Sequence, residues 1–173
     1  MTSIGEPTTT LCVWALERLG YEVILKQGKS RLADKLAEIY HEAEADFIRV
    51  DADVIVNKNT ALLKPAEGIY WLQAMTFDWF KQDLTNGGVQ YITEEALPAL
   101  RKRVRAYRFS ERPETAMSRL EEFHNPRRFA SSPLVCGLHG YKQDDMLRVR
   151  VTKERRGQEG YDWELARMIE EEL

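Results

Sequence analysis

The first fifty residues alternate between short apolar runs and longer stretches in which apolar residues recur every three or four positions. The longer stretches, residues 7–19 and 31–45, predict helices. The short runs at 21–25 and 47–50 predict strands, and Ile4 ends a very short first strand. Strand, helix, strand, helix, strand is the order of a parallel sheet, so the pattern predicts an α/β fold.

The second half of the chain has a less regular pattern. Its predicted elements are an apolar and aromatic stretch at 68–80, a helix at 93–107, a helix at 113–123, a buried strand at 133–138 that delivers His139 and Gly140, and an amphipathic helix at 161–173. Asn86-Gly87-Gly88 is typical of a turn. We find no internal repeat.

Length and composition are those of one soluble domain. The chain has 173 residues, of which 43% are hydrophobic and 31% are charged. No apolar run approaches the roughly 20 residues that span a bilayer, and the first residues lack a secretory signal pattern, so we expect a cytosolic protein. Cys12 and Cys136 lie among apolar neighbours, which favours buried free thiols.

Basic residues are unevenly distributed, although the formal net charge is only −3. They cluster at 101–108, at 127–128 and at 148–156, whereas the chain ends in three consecutive glutamates. A positive surface would suit a phosphorylated donor, an anionic partner or a membrane surface. Solvated helix faces balanced by nearby acids explain the same pattern. No recognition motif for nucleic acid accompanies the charge.

Two aspartates interrupt the apolar stretch 46–56. Asp51 and Asp53 follow the predicted strand 47–50 and lie at its carboxyl end, where parallel sheets bind ligands. Residues i and i+2 of an extended chain share a face, so the two carboxylates can converge there if the strand frays into a turn at this point. Converging carboxylates favour a divalent cation such as Mg²⁺ or Mn²⁺, which would hold a diphosphate. Aspartates that cap a strand-to-turn transition explain the pair equally well.

The order of these features resembles the GT-A class of nucleotide-sugar glycosyltransferases. Gly28-Lys29-Ser30-Arg31, a helix, and the strand that ends in Asp51-Ala52-Asp53 are similar to the class's stretch from the nucleotide-contacting turn to its Asp-x-Asp motif. Leu138-His139-Gly140-Tyr141-Lys142 is similar to the late histidine segment of many members. The resemblance implies a single-domain, Rossmann-like GT-A sandwich over 1–173, with a central, mainly parallel sheet flanked by helices.

The resemblance also implies a division of the chain and a set of site residues. Residues 1–60 would form the nucleotide-binding half, and 61–173 the acceptor half with the C-terminal helix. The implied metal ligands for Mn²⁺ or Mg²⁺ are Asp51, Asp53 and His139. The implied substrate-binding residues are Asp51, on the donor ribose, Arg31, on the diphosphate, and Gly5 and Glu6, against the nucleotide. Stabilisation of a departing nucleoside diphosphate requires such positive charge independently of any resemblance.

An inverting enzyme also needs a general base on the acceptor hydroxyl, and a retaining one does not necessarily use one. Asp78 is our first candidate, because its aromatic neighbours would form a sugar-stacking wall and raise its pKa by partial burial. For Trp71, Trp79 and Phe80 themselves, a place in the core is the favoured interpretation. The other candidate bases are the carboxylates of Glu94, Glu95, Glu111 and Glu114.

The sequence therefore predicts a metal-dependent glycosyltransferase that transfers a sugar from a nucleotide-diphosphate sugar to an unknown acceptor. A sugar nucleotidyltransferase, which also uses paired carboxylates and a metal, is the second hypothesis. The third is a non-catalytic module that binds an anionic partner through the same sheet edge and the basic patches. Chelator sensitivity separates the first two hypotheses from the third.

Overall fold

The computed structural model describes residues 1–3, 8–28, 30–79, 81–107, 113–124 and 127–141. Several features named above lie outside these residues: Gly5, Glu6, Lys29, Phe80, Glu111, Lys142, the basic cluster at 148–156 and the predicted helix at 161–173. The side chain of Glu114 is also not described.

The N-terminal part of the fold has the predicted order of strands and helices. Its elements are β1 (Thr2–Ser3), α1 (Thr9–Arg18), β2 (Lys26–Gln27), α2 (Leu32–Glu42) and β3 (Phe47–Val50). Strands β1 and β2 pair in parallel, and an isolated parallel bridge joins Thr2 to Asp51, which directly follows β3. The prediction of a strand at 21–25 is wrong. The strand that pairs with β1 is β2, which begins directly after this segment, at Lys26.

The larger sheet has five strands, formed by β3 together with β4 (Val54–Val56), β5 (Trp71–Asp78), β6 (Asp83–Ile92) and β7 (Phe129–His139). Its strand order is β3–β6–β5–β7–β4. Among these neighbours only β5 and β7 run parallel. The expected mainly parallel central sheet is therefore wrong: the fold is mixed α/β. A short turn joins β5 to β6 and forces these strands to run antiparallel, and the pairings of β3 with β6 and of β4 with β7, which are far apart in the chain, are antiparallel as well.

The predicted turn at Asn86-Gly87-Gly88 is also wrong, since these residues lie inside β6. The chain instead reverses between β5 and β6, where Gln82 has a φ of 52°. The two glycines mark an irregular ladder, because the register between β5 and β6 shifts at Gln73/Met75. Gly88 has a φ of 76°, and a Cβ there would lie 2.5 Å from the Val54 side chain. The glycines therefore permit a bulge and a close approach.

Helices of the second half cover one end of the sheet. The α-helices are α3 (Leu97–Arg103), α4 (Pro113–Ser118) and α5 (Glu121–His124), and short 3₁₀ helices occupy Lys58–Leu62, Glu94–Ala96 and Val104–Tyr107. Trp71 is fully buried here and meets Phe123 and Phe129 edge to face. For Trp71 the core interpretation is therefore confirmed.

A second apolar cluster packs α1 against β4, β5 and β7. Cys12 and Cys136 lie in it as buried free thiols, as predicted, and burial raises the pKa of Cys136 to about 11. Among the described residues, no helix is both long enough and apolar enough to cross a bilayer.

Candidate functional site

Backbone pairing brings Asp53 and His139 together. His139 is the last residue of β7 and pairs with Val54, the first residue of β4. Asp53 lies in the turn just before β4, and its carbonyl accepts a hydrogen bond of 2.8 Å from the Gly140 amide. Asp53 Oδ2 lies 3.1 Å from His139 Nε2, and both side chains are mostly buried. The family resemblance implied that both residues are metal ligands. They lie 86 positions apart in the sequence, and the fold brings them into contact.

Asp78 completes a chain of three titratable side chains. It is the last residue of β5 and lies opposite His139 in the parallel ladder. Its Oδ2 lies 3.1 Å from His139 Nδ1, so the two ring nitrogens face two different carboxylates. The other oxygen, Oδ1, accepts a hydrogen bond of 2.9 Å from the Lys81 amide. We refer to Asp53, His139 and Asp78 as the Asp-His-Asp chain.

The two carboxylates change the protonation of His139. Burial by itself lowers the pKa of the imidazole, but hydrogen bonds and charges from Asp53 and Asp78 outweigh burial and raise it to about 9. At neutral pH the metal-free ring therefore carries a proton on each nitrogen.

The pKa of Asp78 moves in the opposite direction to our expectation. Burial raises it, but the hydrogen bonds from His139 and the Lys81 amide prevail and lower it to about 2. The predicted rise in the pKa of Asp78 is therefore wrong. Trp79, the following residue, packs edge to face on Tyr141.

Asp51 belongs to a different network. Its Oδ1 accepts a hydrogen bond from the Thr2 hydroxyl and forms an ion pair of 2.5 Å with the Arg49 guanidinium. Arg49 is only 2% exposed and also donates to Gln90, whereas one third of the Asp51 side chain remains exposed. The two aspartates of the motif thus have separate partners.

The sequence analysis did not identify Arg49 and Lys35 as members of buried polar networks, although the position of each residue in the apolar pattern indicates it. Arg49 is the one charged residue of β3, and Lys35 lies on the apolar stripe of α2. The Lys35 ammonium is buried and donates to the carbonyls of Ser3 and Gly28, at the ends of β1 and β2. A charged residue at an apolar position of the pattern indicates a buried polar network.

Of the other predicted site residues, Arg31, Glu94 and Glu95 take no part in the contacts of the Asp-His-Asp chain given above. Arg31 is exposed and directly precedes α2. Glu94 and Glu95 are exposed on the 3₁₀ helix after β6, and the Glu94 amide donates to Asp46.

Within the described part of the chain, no group of three His, Cys, Asp or Glu side chains is placed to hold a metal ion. The Asp-His-Asp chain explains this, because its carboxylates meet opposite nitrogens of one ring. Asp53 Oδ2 and His139 Nε2 nevertheless form an oxygen and nitrogen pair, and both atom types are ligands of divalent metal ions in proteins. Two protein ligands fit a cation that takes its remaining ligands from substrate phosphates and water.

A groove of about 650 Å³ lies elsewhere on the molecule. Apolar side chains including Ile24, Ile39, Phe47 and Leu63 line it. None of the three residues of the Asp-His-Asp chain contributes to its lining, so the groove is separate from the candidate site.

Comparison with known proteins supports the fold. No protein-family model and no curated protein sequence matches the chain. A solved structure, "Crystal structure of a glycosyltransferase involved in the glycosylation of the major capsid of PBCV-1", is similar to it with a TM-score of 0.58 at 15% sequence identity. The match covers 88% of this chain and 97% of that chain. The chain therefore has a glycosyltransferase-like fold.

Proposed function

We propose that this protein is a metal-dependent glycosyltransferase of the GT-A type that uses a nucleotide-diphosphate sugar. One observation carries the proposal: Asp53 Oδ2 and His139 Nε2 lie 3.1 Å apart at an edge of a glycosyltransferase-like fold. Asp53 directly precedes β4 and His139 is the last residue of β7, and the pairing of these two strands sets the separation of the two side chains. Their donor atoms, a carboxylate oxygen and an imidazole nitrogen, are those that Mn²⁺ accepts.

Asp53 and His139 hold the cation in this proposal. When bound, the cation supplies positive charge that stabilises the departing nucleoside diphosphate. His139 must lose its Nε2 proton to act as a ligand, so protons and the cation compete for the same nitrogen. Arg31, exposed at the start of α2, supplies further positive charge to the diphosphate.

Asp51 contacts the donor ribose instead of the cation. Its ion pair with Arg49 and its hydrogen bond from Thr2 fix the carboxylate through Oδ1, while part of the side chain remains exposed. A carboxylate held in this way accepts hydrogen bonds from sugar hydroxyls without a large entropic cost. Gly5 and Glu6 follow β1 and are assigned to the nucleotide, as the family resemblance implies.

Calorimetric titration of a panel of nucleoside diphosphates and their sugar conjugates tests the proposal. Each ligand is titrated with Mn²⁺ and again with excess chelator, against the wild type and the Asp53→Ala variant. Glu67→Ala is the matched control, because Glu67 is an exposed carboxylate in the loop before β5. We expect binding that requires both Mn²⁺ and Asp53 and that Glu67→Ala leaves unchanged.

Other outcomes select the other hypotheses. Unchanged binding by a folded Asp53→Ala variant contradicts the proposal. Binding that ignores chelator and falls steeply with salt favours the anion-binding module. Release of pyrophosphate from a nucleoside triphosphate and a sugar phosphate favours the nucleotidyltransferase.

A further inference from the structure

The groove of about 650 Å³ lies between two segments of chain that β1 holds apart. Residues 21–24, directly before β2, line one wall, and Asp46 and β3 line the other. At the end of the groove, β1 pairs with β2 on one side and bridges to Asp51 on the other. Because neighbouring strands lie about 4.8 Å apart, β1 sets the distance between the two walls at the width of one strand.

Both walls present backbone groups to the groove. The Ile24 carbonyl accepts a hydrogen bond of 2.7 Å from the Met1 amino group. Directly after β3 the Asp51 amide donates to β6, and since backbone groups alternate along a strand, those of Ile48 face the opposite edge, towards the groove. Among the described residues, no strand pairs with 21–23 or with this edge of β3 ahead of Asp51. The groove therefore offers the pairing positions by which a sheet accepts an added strand.

One face of the groove is apolar. Tyr21 and Val23 are half-buried and pack on the apolar cluster that contains α1, whereas Glu22 and Ile24, which alternate with them, are exposed. Ile48 packs on the same cluster from β3. An added strand would therefore meet apolar side chains on this face.

The other face carries negative charge. Lys26, on the same side of the chain as Glu22 by the alternation, pairs with Glu42 of α2 over 2.7 Å, so α2 lies on this face. Glu44 and Asp46 add two further carboxylates to the lining of the groove. Lys64 is the one basic side chain in the described lining, so the excess of carboxylates favours basic side chains in an occupant.

A segment of this chain has the complementary pattern. Leu147, Val149 and Val151 alternate with Arg148 and Arg150, which is the pattern of a strand with one apolar and one basic face. The segment lies outside the described residues, and the alternation is a property of the sequence.

The chain is long enough to bring this segment to the groove. Tyr141, six residues before Leu147, packs in the same apolar cluster as Met1 and Leu16, which line the groove. Six residues of extended chain span up to about 20 Å. The four residues of β3 along the groove span only about 13 Å.

We propose that the groove is the docking site of residues 147–151 of the same chain, which add a strand between 21–24 and β3. The leucine and the two valines of the segment lie on the apolar face, and its two arginines lie on the face of Glu22 and Glu42. The added strand continues the line of β1 and joins the two sheets along a greater length. The proposal does not depend on the proposed function.

Disulfide formation in the full-length chain tests the position of the segment. Val23→Cys is combined in turn with Leu147→Cys, Val149→Cys and Val151→Cys, and bridges are identified by mass spectrometry of peptides. A bridge requires the two Cα atoms to come within about 7 Å. We expect a bridge within one chain for at least one of the three pairs.

Two further variants make this test specific. Ile48→Cys replaces Val23→Cys and repeats the test from the opposite wall of the groove. Leu84→Cys, at an exposed position of β6 outside the groove lining, is the matched control, and we expect no bridge to it. Cys12 and Cys136 are retained, because both thiols are buried.

Charge reversal tests the acidic face. In the pair that forms a bridge, we expect Arg148→Glu with Arg150→Glu to slow bridge formation by about fivefold, since exposed ion pairs are individually weak. Arg155→Glu with Arg156→Glu is the matched control, because it makes the same change of charge outside the alternating segment. Equal rates in the two charge-reversed proteins would contradict the assignment of the arginines to Glu22 and Glu42.

Three outcomes overturn the proposal. The first is the absence of any bridge to Val23→Cys and to Ile48→Cys in variants whose circular dichroism matches that of the wild type. The second is a bridge between two chains, which runs as a dimer on a non-reducing gel and places a second copy in the groove. The third is equally fast bridging to Leu84→Cys, which means that the segment has no preferred site.

Discussion

Asp51 and Asp53 are separated by a single residue, yet they belong to two different networks. Asp51 is held by buried Arg49 and by Thr2, at the bridge that joins the two sheets. Asp53 instead contacts His139. The backbone explains the difference, since the Val54 amide donates to the Asp51 carbonyl and closes a turn between the carboxylates. The rule that i and i+2 share a face holds for an extended chain and not for this turn.

The largest expected difference between the two aspartates is in stability. Asp51→Ala leaves the Arg49 charge buried with only part of its hydrogen bonding satisfied, so we expect a loss of about 3 kcal/mol in the free energy of unfolding. Asp53→Ala leaves His139 bonded to Asp78 and should cost about 1 kcal/mol. Urea unfolding of the metal-free proteins measures both values.

A double-mutant cycle isolates the ion pair. Arg49→Met and Asp51→Ala are measured singly and together, and we expect a coupling energy of about 2 kcal/mol, because removal of both charges leaves none unpaired. Purely additive losses would mean that Asp51 does not stabilise Arg49. In that case the two aspartates would not differ in their contribution to stability through the Arg49 ion pair.

The sequence predicted the half of the fold in which local pattern and tertiary structure agree. Helical periodicity located α1 and α2, and the apolar run before Asp51 located β3. The turn predicted at Asn86-Gly87-Gly88 is wrong because turn propensity is a local property. The bulge that these residues form in β6 instead accommodates the close approach of Val54 from another strand. The mixed sheet followed from strand pairings across long stretches of chain, which periodicity does not encode.

The candidate site was predictable only in part for a similar reason. Family resemblance named Asp53 and His139, and the register of β4 with β7 brings them together. The contact of Asp78 with His139 depends on the parallel pairing of β5 with β7, which no local signal indicates. Arg49 was visible as a charge in an apolar strand, but its partner among the nearby acids was not.

A substitution at Gly88 tests how tightly β6 packs against the turn between Asp51 and Asp53. Its carbonyl accepts from the Asp51 amide, and a Cβ would lie 2.5 Å from Val54, the residue after Asp53. We expect Gly88→Ala to lower the free energy of unfolding by about 2–3 kcal/mol, from the positive φ and the clash together. Gly68→Ala is the matched control, since Gly68 has a φ of 80° with no atom within 4 Å of its Cβ. Equal losses at both glycines would show that the approach to Val54 is not tight.

The stability contributed by the Asp-His-Asp chain, to which Asp53 belongs, depends on pH. Because the folded-state pKa of His139 is raised from 6.5 to about 9, its stabilising contribution is complete below pH 6.5 and is lost as pH rises through 9. The pKa of Asp78 is lowered to about 2, so its contribution is present above 3.8 and is lost as pH falls through 2. We expect the wild type to lose on the order of 2 kcal/mol between pH 6.5 and 9 relative to His139→Gln. Parallel urea midpoints for the two proteins, measured in chelator, would contradict this.

Lys81→Met should have the smallest effect, and it identifies which group of Lys81 matters. The ammonium is 3.6 Å from Asp78 Oδ2 on a half-exposed side chain, so solvent weakens the ion pair and its removal should cost at most about 0.5 kcal/mol. The Lys81 amide makes the 2.9 Å hydrogen bond to Oδ1 and is retained in the variant. We therefore expect an unfolding free energy close to that of the wild type. A loss above about 1 kcal/mol would instead show that the ammonium helps to hold the Asp78 carboxylate.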